Sequence, residues 1–294
     1  MALFKGCGTA LITPFTKKGV DYGAFAKQLD FQIENGVNAL LVLGTTGEPA
    51  TMSEKEKADT LKFAQKHINK RVHLMAGAGS NDTAHAVKLA KQAEETGADS
   101  ILAVTPYYNK CTQKGLIAHF TAIADAVNLP VVMYNVPGRT GLNMLPQTVK
   151  ELSQHKNIAG LKEASGNIEQ ISETARLCGG GFAIYSGDDA ITLPILSLGG
   201  AGVISVASNV VPRLVSDLCA AWFAGDIEKC RGLQFKVNPL VKALFSEISP
   251  APAKTALNLM GMKGGLLRLP LVEMEEGNLS LLKKELKTLG LIEN

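Results

Sequence analysis

Cysteine, aromatic residues and long apolar runs are all scarce in this sequence. Its 294 residues include 5 cysteines, which lie far apart and form no Cys-x-x-Cys pair, so both a disulfide framework and a zinc knuckle are disfavoured. No apolar run approaches the roughly 20 residues that span a bilayer, and the N-terminus lacks the apolar core of a signal peptide. We therefore expect a cytoplasmic protein whose thiols are reduced and mostly fill the core.

The sequence also lacks any concentration of charge. The formal net charge is +3, and the longest basic runs are pairs such as Lys17-Lys18. No basic stripe is interleaved with aromatic residues, which argues against nucleic acid as a partner. Hydrophobic residues make up 46% and charged residues 19%, proportions that are typical of a compact enzyme and exclude a disordered chain.

What the sequence does contain is a regular alternation of short apolar runs and amphipathic stretches. The runs are nearly continuous, as at 131–133, which is typical of parallel strands buried on both faces. The eight predicted strands are 8–15, 39–44, 72–77, 100–105, 130–136, 158–164, 182–187 and 202–206. The eight predicted helices are 22–35, 53–68, 83–96, 114–126, 146–154, 168–177, 190–198 and 212–224.

Eight strand-then-helix units in succession predict an α/β fold, a (β/α)8 TIM barrel. A doubly wound sheet would require a glycine-rich phosphate turn after the first strand, and Thr13-Pro14-Phe15 is not one. The alternation stops after residue 225, and three further helices are predicted at 226–245, 252–260 and 279–289. We therefore predict a barrel domain at 1–225, which carries the site, and a C-terminal helical domain at 226–294.

Lys162 ends the sixth predicted strand, just before a turn of small residues. In such barrels the catalytic groups collect at the C-terminal ends of the strands. An amine held near apolar surroundings loses its preference for the charged form, so its pKa falls and it can attack a carbonyl. The alternative interpretation is an ordinary lysine that ends a strand and reaches water.

Other polar side chains follow the neighbouring strands. Thr45 and Thr46 lie in the turn after the second strand, where they can bind a carboxylate or relay a proton. The alternative is that they cap the next helix. Tyr134 lies within the fifth strand, so its hydroxyl needs a partner. Arg139 follows on a glycine-flanked loop, where its guanidinium can hold a carboxylate or make a structural salt bridge.

Two further pairs follow strands four and seven. Tyr107 and Tyr108 lie at a proline-stiffened turn, where packing is the usual role of a tyrosine. Asp188 and Asp189 most simply cap the helix that follows them. Ile204 lies on the eighth strand.

The strand ends together place an amine, phenols, threonine hydroxyls and an arginine on one face of the barrel. An ordinary lysine with a pKa near 10.4 is neutral only about one time in a thousand at pH 7.4, so this setting must lower the pKa of Lys162. The phenols can then move protons through carbinolamine, imine and enamine stages. The predicted chemistry is formation or cleavage of a carbon–carbon bond through the enamine of a 2-keto acid.

With these motifs in order, the sequence resembles the dihydrodipicolinate synthase family across essentially its whole length. Any one motif is weak evidence, and their combination is highly specific. The motifs are GTTGE at 44–48, TPYYN at 105–109, YNVPGRTG at 134–141, LKEASGN at 161–167, YSGDD at 185–189 and GVISV at 202–206.

The resemblance implies that Lys162 forms a Schiff base with pyruvate. The enamine then attacks L-aspartate 4-semialdehyde, giving the cyclic precursor of lysine and diaminopimelate. Tyr134, Thr45 and Tyr108 are implied to relay protons, with Tyr108 supplied by the neighbouring subunit. A dimer would then be the smallest competent unit; the resemblance implies a tetramer built from two tight dimers, although some family members stop at the dimer.

The resemblance also implies how the substrates bind. Thr46 would contact the pyruvate carboxylate, Arg139 would receive the carboxylate of the semialdehyde, and the backbone carbonyl of Ile204 would face the bound keto acid. No metal or organic cofactor is expected, and neither is a nucleic acid or a membrane partner.

The chain departs from the family pattern around the allosteric site of lysine-inhibited members. Those members carry histidines and a glutamate there, whereas this chain has Glu54, Lys57 and His85. A cationic Lys57 that faces a cationic ligand is unfavourable by Coulomb repulsion. We therefore expect feedback inhibition by L-lysine to be weak or absent.

Two other interpretations compete with the synthase. An N-acetylneuraminate lyase or a 2-keto-3-deoxy sugar acid aldolase of the same superfamily would share the turn, the tyrosine and Lys162. Arg139 and the paired Thr45-Thr46 and Tyr107-Tyr108 favour the synthase. A barrel that only binds a metabolite is the alternative from a different class, and it would leave five motifs without a use.

Overall fold

Eight parallel strands close into a barrel in the computed structural model, which describes residues 2–293. Each barrel strand pairs with the next barrel strand along the chain, and the first also pairs with the last. The strands are β1 (Gly6–Ala10), a hairpin of β2 (Phe15–Thr16) and β3 (Gly19–Val20), then β4 (Ala39–Val42), β5 (His73–Gly77), β6 (Ser100–Val104), β7 (Val131–Asn135), β8 (Ile158–Glu163), β9 (Ala183–Ser186) and β10 (Gly202–Ser205). The predicted (β/α)8 barrel is confirmed.

Helices follow the barrel strands and cover the outside of the barrel. Ser53 accepts from the backbone N–H of Glu56, whose carboxylate accepts in return from the backbone of Ser53, a capping box that starts the second helix. The helices are α1 (Tyr22–Glu34), α2 (Glu54–Ile68), α3 (Thr83–Thr96), α4 (Gln113–Asp125), α5 (Pro137–Thr140), α6 (Pro146–Leu152), α7 (Ile168–Cys178), α8 (Thr192–Ser197), α9 (Pro212–Phe223), α10 (Ile227–Leu244), α11 (Ala251–Leu259) and α12 (Glu276–Thr288).

Two strands were predicted to extend two or more residues beyond their observed C-terminal ends. The strand predicted at 8–15 ends at Ala10, because the chain then turns toward Asn209, which accepts from the backbone N–H of Ile12 and donates to the carbonyl of Ala10. The strand predicted at 39–44 ends at Val42, because Leu43 takes a left-handed backbone conformation with φ 61°. After each of these strand ends the chain continues as a loop at the barrel mouth.

The three C-terminal helices pack on the barrel and do not stand apart from it. α10 packs against α9, and α12 packs against α10. Buried side chains of these helices, such as Val237 and Leu286, belong to the same apolar cluster as Leu40 of β4. The helices were expected, whereas the domain division at residues 225 and 226 stays a prediction.

Within residues 2–293, no helix combines the length and the apolar character that crossing a bilayer demands.

Candidate active site

Lys162 lies inside the barrel near the C-terminal end of β8. It pairs in register with Tyr134 on β7 and with Tyr185 on β9. The lysine is buried, with 4% of its surface exposed, and its Nζ lies 4.4 Å from the centre of the Tyr134 ring. The interpretation of Lys162 as a strand-end lysine that reaches water is therefore wrong.

Gly187, which follows β9, leaves the space that the Lys162 side chain occupies. A Cβ at this position would lie 3.1 Å from Cε of Lys162 and 2.8 Å from Cβ of Ala164. Both separations are tighter than ordinary van der Waals contact, so a larger residue would push the amine out of place.

Burial shifts the pKa values of Lys162 and Tyr134 in opposite directions. The pKa of Lys162 is lowered to about 8 mainly by loss of water; Asp189 opposes the shift, and the positive charge of Arg139 contributes to it. Loss of water raises the pKa of Tyr134 to about 12, against a lowering effect of Arg139. Each group is thus driven toward its neutral form.

The predicted site residues Thr45, Tyr134 and Arg139 line one cavity of about 410 Å³. Tyr107 lines the same cavity and is 40% exposed. In residues 2–293 the Tyr134 hydroxyl has no protein hydrogen-bond partner, which leaves it free to serve a bound substrate. The sequence predicted that this hydroxyl needs a partner, and the protein does not supply one.

A short 3₁₀ turn, Thr45–Gly47, carries the two threonines at the cavity wall. Thr45 is exposed and Thr46 is buried. The turn ends at Glu48, which has a left-handed backbone conformation with φ 55°. Thr13 donates its hydroxyl to the carbonyl of Gly47 at 2.8 Å, which fixes the turn to the loop after β1.

Arg139 lies on the short helix α5, where the sequence predicted a loop. Its Nη2 donates to the backbone carbonyl of Ser249 at 3.2 Å, so a segment before α11 holds the side chain. No carboxylate within residues 2–293 forms an ion pair with Arg139, and the residue is exposed. The structural salt bridge considered for Arg139 is absent from this part of the chain, and the guanidinium can receive a substrate carboxylate.

Four predicted site residues lie outside the lining of this cavity, and one of them is Lys162, which is buried next to the lining residue Tyr134. Tyr108 is 91% exposed, has a left-handed backbone with φ 70° and does not line the cavity in the single chain. Thr46 and Ile204 are buried behind the cavity wall, Thr46 in the turn and Ile204 on β10. Their roles toward a substrate remain predictions.

Two buried carboxylates beside Lys162 were not predicted as site residues. Glu163 accepts from the backbone N–H of Ser165 at 2.6 Å and from Nδ2 of Asn135, and burial raises its pKa. Asp189 accepts from the backbone N–H groups of Val206 and Ala207, and its other carboxylate oxygen has no partner in the described chain.

The prediction that Asp188 and Asp189 both cap the next helix is half wrong. Asp188 does so, since its side chain accepts from the backbone N–H of Ala190 at 2.9 Å. Asp189 instead turns inward to the end of β10. The signal was present in the sequence, because a helix start needs one capping carboxylate and this strand end offers two.

Comparison with known proteins identifies the family. A sequence model of the dihydrodipicolinate synthetase family matches residues 3–289. The chain belongs to the dihydrodipicolinate synthetase family. It is 50% identical over 293 residues to the 4-hydroxy-tetrahydrodipicolinate synthase of Thermoanaerobacter sp. strain X514, with 99% of both chains covered.

Solved structures of dihydrodipicolinate synthases have the same fold. The Thermotoga maritima enzyme has a TM-score of 0.97 at 46% identity, covering 99% of this chain and 100% of the other. The Acinetobacter baumannii enzyme, described as chloride-inhibited and complexed with pyruvate, has a TM-score of 0.96 at 40% identity, covering 98% and 100%. As a member of the dihydrodipicolinate synthetase family, the chain is a lyase with 4-hydroxy-tetrahydrodipicolinate synthase activity. The sugar-acid aldolase and the non-catalytic barrel are therefore set aside.

The residues that depart from the lysine-inhibited pattern of the dihydrodipicolinate synthetase family contact one another, and Lys57 and His85 line the same cavity as Tyr134. Nζ of Lys57 lies 2.9 Å from Oε1 of Glu54, and Nε2 of His85 lies 3.7 Å from the same oxygen. The Lys57 ammonium thus pairs with Glu54, whose carboxylate is then not free for a ligand ammonium. Weak or absent inhibition by L-lysine stays a prediction.

Proposed function

We propose that the chain condenses pyruvate with L-aspartate 4-semialdehyde through a Schiff base on Lys162. The observation that carries the proposal is the buried amine, which has a pKa of about 8 and lies over the Tyr134 ring. A solved relative is described in complex with pyruvate, which supports a 2-keto acid as the first substrate.

The neutral Nζ of Lys162 attacks the keto carbon of pyruvate and forms a carbinolamine. Loss of one water gives the imine, and loss of a proton from the methyl carbon gives the enamine. The enamine carbon then bonds to the aldehyde carbon of the second substrate, whose oxygen takes up a proton. Finally the amino group of that substrate attacks the imine carbon, closes the ring and displaces the Lys162 amine.

Tyr134 supplies and takes back the protons in this sequence. Because its pKa is about 12, the phenol is protonated at neutral pH, so it begins as the donor to the hydroxyl that leaves the carbinolamine. Thr45 lines the same cavity and would connect Tyr134 to solvent together with Tyr108 of a neighbouring subunit. Strong exposure of Tyr108 in the single chain supports a role across a subunit contact.

Separate groups would receive the two substrate carboxylates. Thr46 and the backbone of its turn would bind the carboxylate of pyruvate, with the Ile204 carbonyl facing the keto acid. No carboxylate of residues 2–293 pairs with the Arg139 guanidinium, which would bind the carboxylate of the semialdehyde.

The same proposal includes a homo-oligomer, a tight dimer that pairs into a tetramer, since Tyr108 would act from one subunit on another. It also includes the cytoplasm as the compartment. All five cysteines are unpaired, which supports a reducing environment.

The test is a side-by-side turnover experiment with borohydride trapping. Purified protein should turn over pyruvate with L-aspartate 4-semialdehyde faster than it cleaves sialic acid or deoxy-sugar acids. Borohydride added with pyruvate should attach a reduced pyruvyl group to Lys162, located by peptide mass, and Lys162→Met should abolish it. Lys156→Met is the matched control and should label normally. Faster cleavage of the sugar acids, or labelling at another lysine, would overturn the proposal.

A further inference from the structure

A buried ion pair joins the C-terminal helices to the turn at the barrel mouth. Nζ of Lys254, on α11, lies 2.5 Å from Oε1 of Glu48, and the two side chains are 1% and 2% exposed. Buried charges are costly unless they are paired and hydrogen-bonded, and removing one partner is strongly unfavourable. The pair therefore holds its two elements together, although the mechanism above uses neither residue.

Each charge of this pair has a second partner. Nζ of Lys254 also donates to the carbonyl of Leu266 at 2.7 Å and lies 4.3 Å from the centre of the Phe15 ring. The other carboxylate oxygen of Glu48 accepts from the backbone N–H of Arg268 at 3.3 Å. Because several groups hold each side chain, neither can turn away without breaking contacts of both elements.

On the Glu48 side, the pair anchors the turn that carries the threonines. The Thr45–Gly47 turn has backbone bonds from Gly47 to Gly44 at 2.8 Å and from Glu48 to Thr45 at 3.1 Å, besides the bond from Thr13 to the Gly47 carbonyl. Glu48 is the residue immediately after this turn, and the ion pair fixes its side chain to α11.

On the Lys254 side, the pair anchors the segment that holds Arg139. The backbone N–H of Lys254 bonds to the carbonyl of Pro250 at 3.0 Å in the first turn of α11. The preceding residue, Ser249, accepts from the Arg139 guanidinium at 3.2 Å. One ion pair thus links the Thr45–Gly47 turn to the segment before α11 that holds the Arg139 side chain.

We propose that Glu48 and Lys254 are a positioning pair, which sets the receptors of the two substrate carboxylates at a fixed place relative to Lys162. The proposal rests on the proposed function, because it assigns pyruvate to the turn and the semialdehyde to Arg139. Neither residue is catalytic, since the contacts of their charged groups are with each other, with backbone and with Phe15.

The experiment uses the full-length chain and three variants, Lys254→Met, Glu48→Gln and the double variant. We expect Lys254→Met to raise KM for pyruvate and for the semialdehyde by tenfold or more. Saturating pyruvate should still label Lys162 fully under borohydride, because the amine is untouched. Glu48→Gln keeps a hydrogen-bond acceptor for Lys254, so its KM values should rise less than those of Lys254→Met.

The double variant separates positioning from stability. Removing both charges leaves no unpaired buried charge, so it should recover thermal stability relative to Lys254→Met while its KM values stay high. Arg71→Met is the control, since Arg71 pairs with Asp30 at 2.9 Å before β5, at the opposite end of the barrel, and its KM values should not change.

Two outcomes would overturn the positioning pair. One is a folded Lys254→Met with the KM values of the wild type, and the other is a double variant that regains those values together with its stability. If Lys254→Met does not fold, the KM values of the double variant and of Glu48→Gln decide whether the pair positions the carboxylate receptors. Absence of pyruvate labelling in the wild type would refute the proposed function instead.

Discussion

The rate of imine formation on Lys162 should follow an amine with a pKa of about 8. Between pH 7 and pH 9 the neutral fraction of such an amine rises about tenfold, and between pH 9 and pH 10 it rises only by about a tenth. An ordinary lysine with a pKa near 10.4 would gain about a hundredfold over the first interval and about sevenfold more over the second. The interval above pH 9 therefore separates the two cases.

The assay is a quenched-flow measurement with pyruvate below saturation. Protein and pyruvate are mixed at each pH for a fixed short time and then quenched into borohydride at one common pH, so that the reduction step is the same throughout. Intact mass gives the fraction of chains labelled. A labelling rate that still climbs severalfold between pH 9 and pH 10 would refute the argument that burial lowers the pKa of Lys162.

Arg139→Met tests one cause of the shift. The guanidinium lowers the pKa of Lys162 by like-charge repulsion, so its removal should move the midpoint of the rate profile to higher pH. Arg176→Met is the matched control, because Arg176 pairs with Glu173 on the exposed surface of α7 and should leave the midpoint in place.

Three further predictions follow from the same site. Because the folded pKa of Lys162 is depressed from 10.5 to about 8, the unfolded chain binds more protons between these values, and stability rises with pH there. The free energy of unfolding of Lys162→Met, measured in urea, should therefore exceed that of the wild type at pH 7 by about 3 kcal/mol. The difference should shrink toward pH 10.5. No difference at pH 7 would contradict the burial argument. Gly187→Ala should slow borohydride-trapped imine formation at least about tenfold, because its Cβ would crowd the Lys162 side chain. Gly180→Ala is the control, since a Cβ there meets open space and should not change the rate. Equal rates for the two variants would count against the packing argument. L-lysine should not give half-inhibition below millimolar concentration in the coupled turnover assay, and half-inhibition below that value would show the prediction to be wrong.

Local pattern was enough to predict the barrel and the place of Lys162. Parallel strands buried on both faces leave continuous apolar runs in the sequence, and a lysine at the end of such a run stands out. The strand end at Ala10 was misplaced because a contact from elsewhere in the chain decides it. Asn209, which turns the chain after Ala10, is 199 residues away along the sequence.

The buried charges that the sequence analysis missed were harder to predict, because their roles depend on contacts across the fold. Glu48 and Lys254 are separated by 206 residues, and nothing in the sequence near either residue indicates the other. The sequence shows that one carboxylate of the Asp188-Asp189 pair is not needed for capping, but the partners of Asp189 at the end of β10 are visible only in the fold. In both cases a charge is buried because a distant segment supplies its partner.

Burial explains how one environment prepares two groups for opposite roles. Desolvation penalises whichever form is charged, so it lowers the pKa of the Lys162 ammonium and raises that of the Tyr134 phenol. Between about pH 8 and about pH 12 the amine is mainly free to attack while the phenol still holds the proton that it must give. Water admitted to the site would return both values toward those in solution, about 10.4 for lysine and about 10 for tyrosine, and the interval would close. The segments around Ser249 and Leu271 wall the cavity that Tyr134 lines, and the Tyr134 ring lies against Lys162, so these segments bear on the chemistry of both groups.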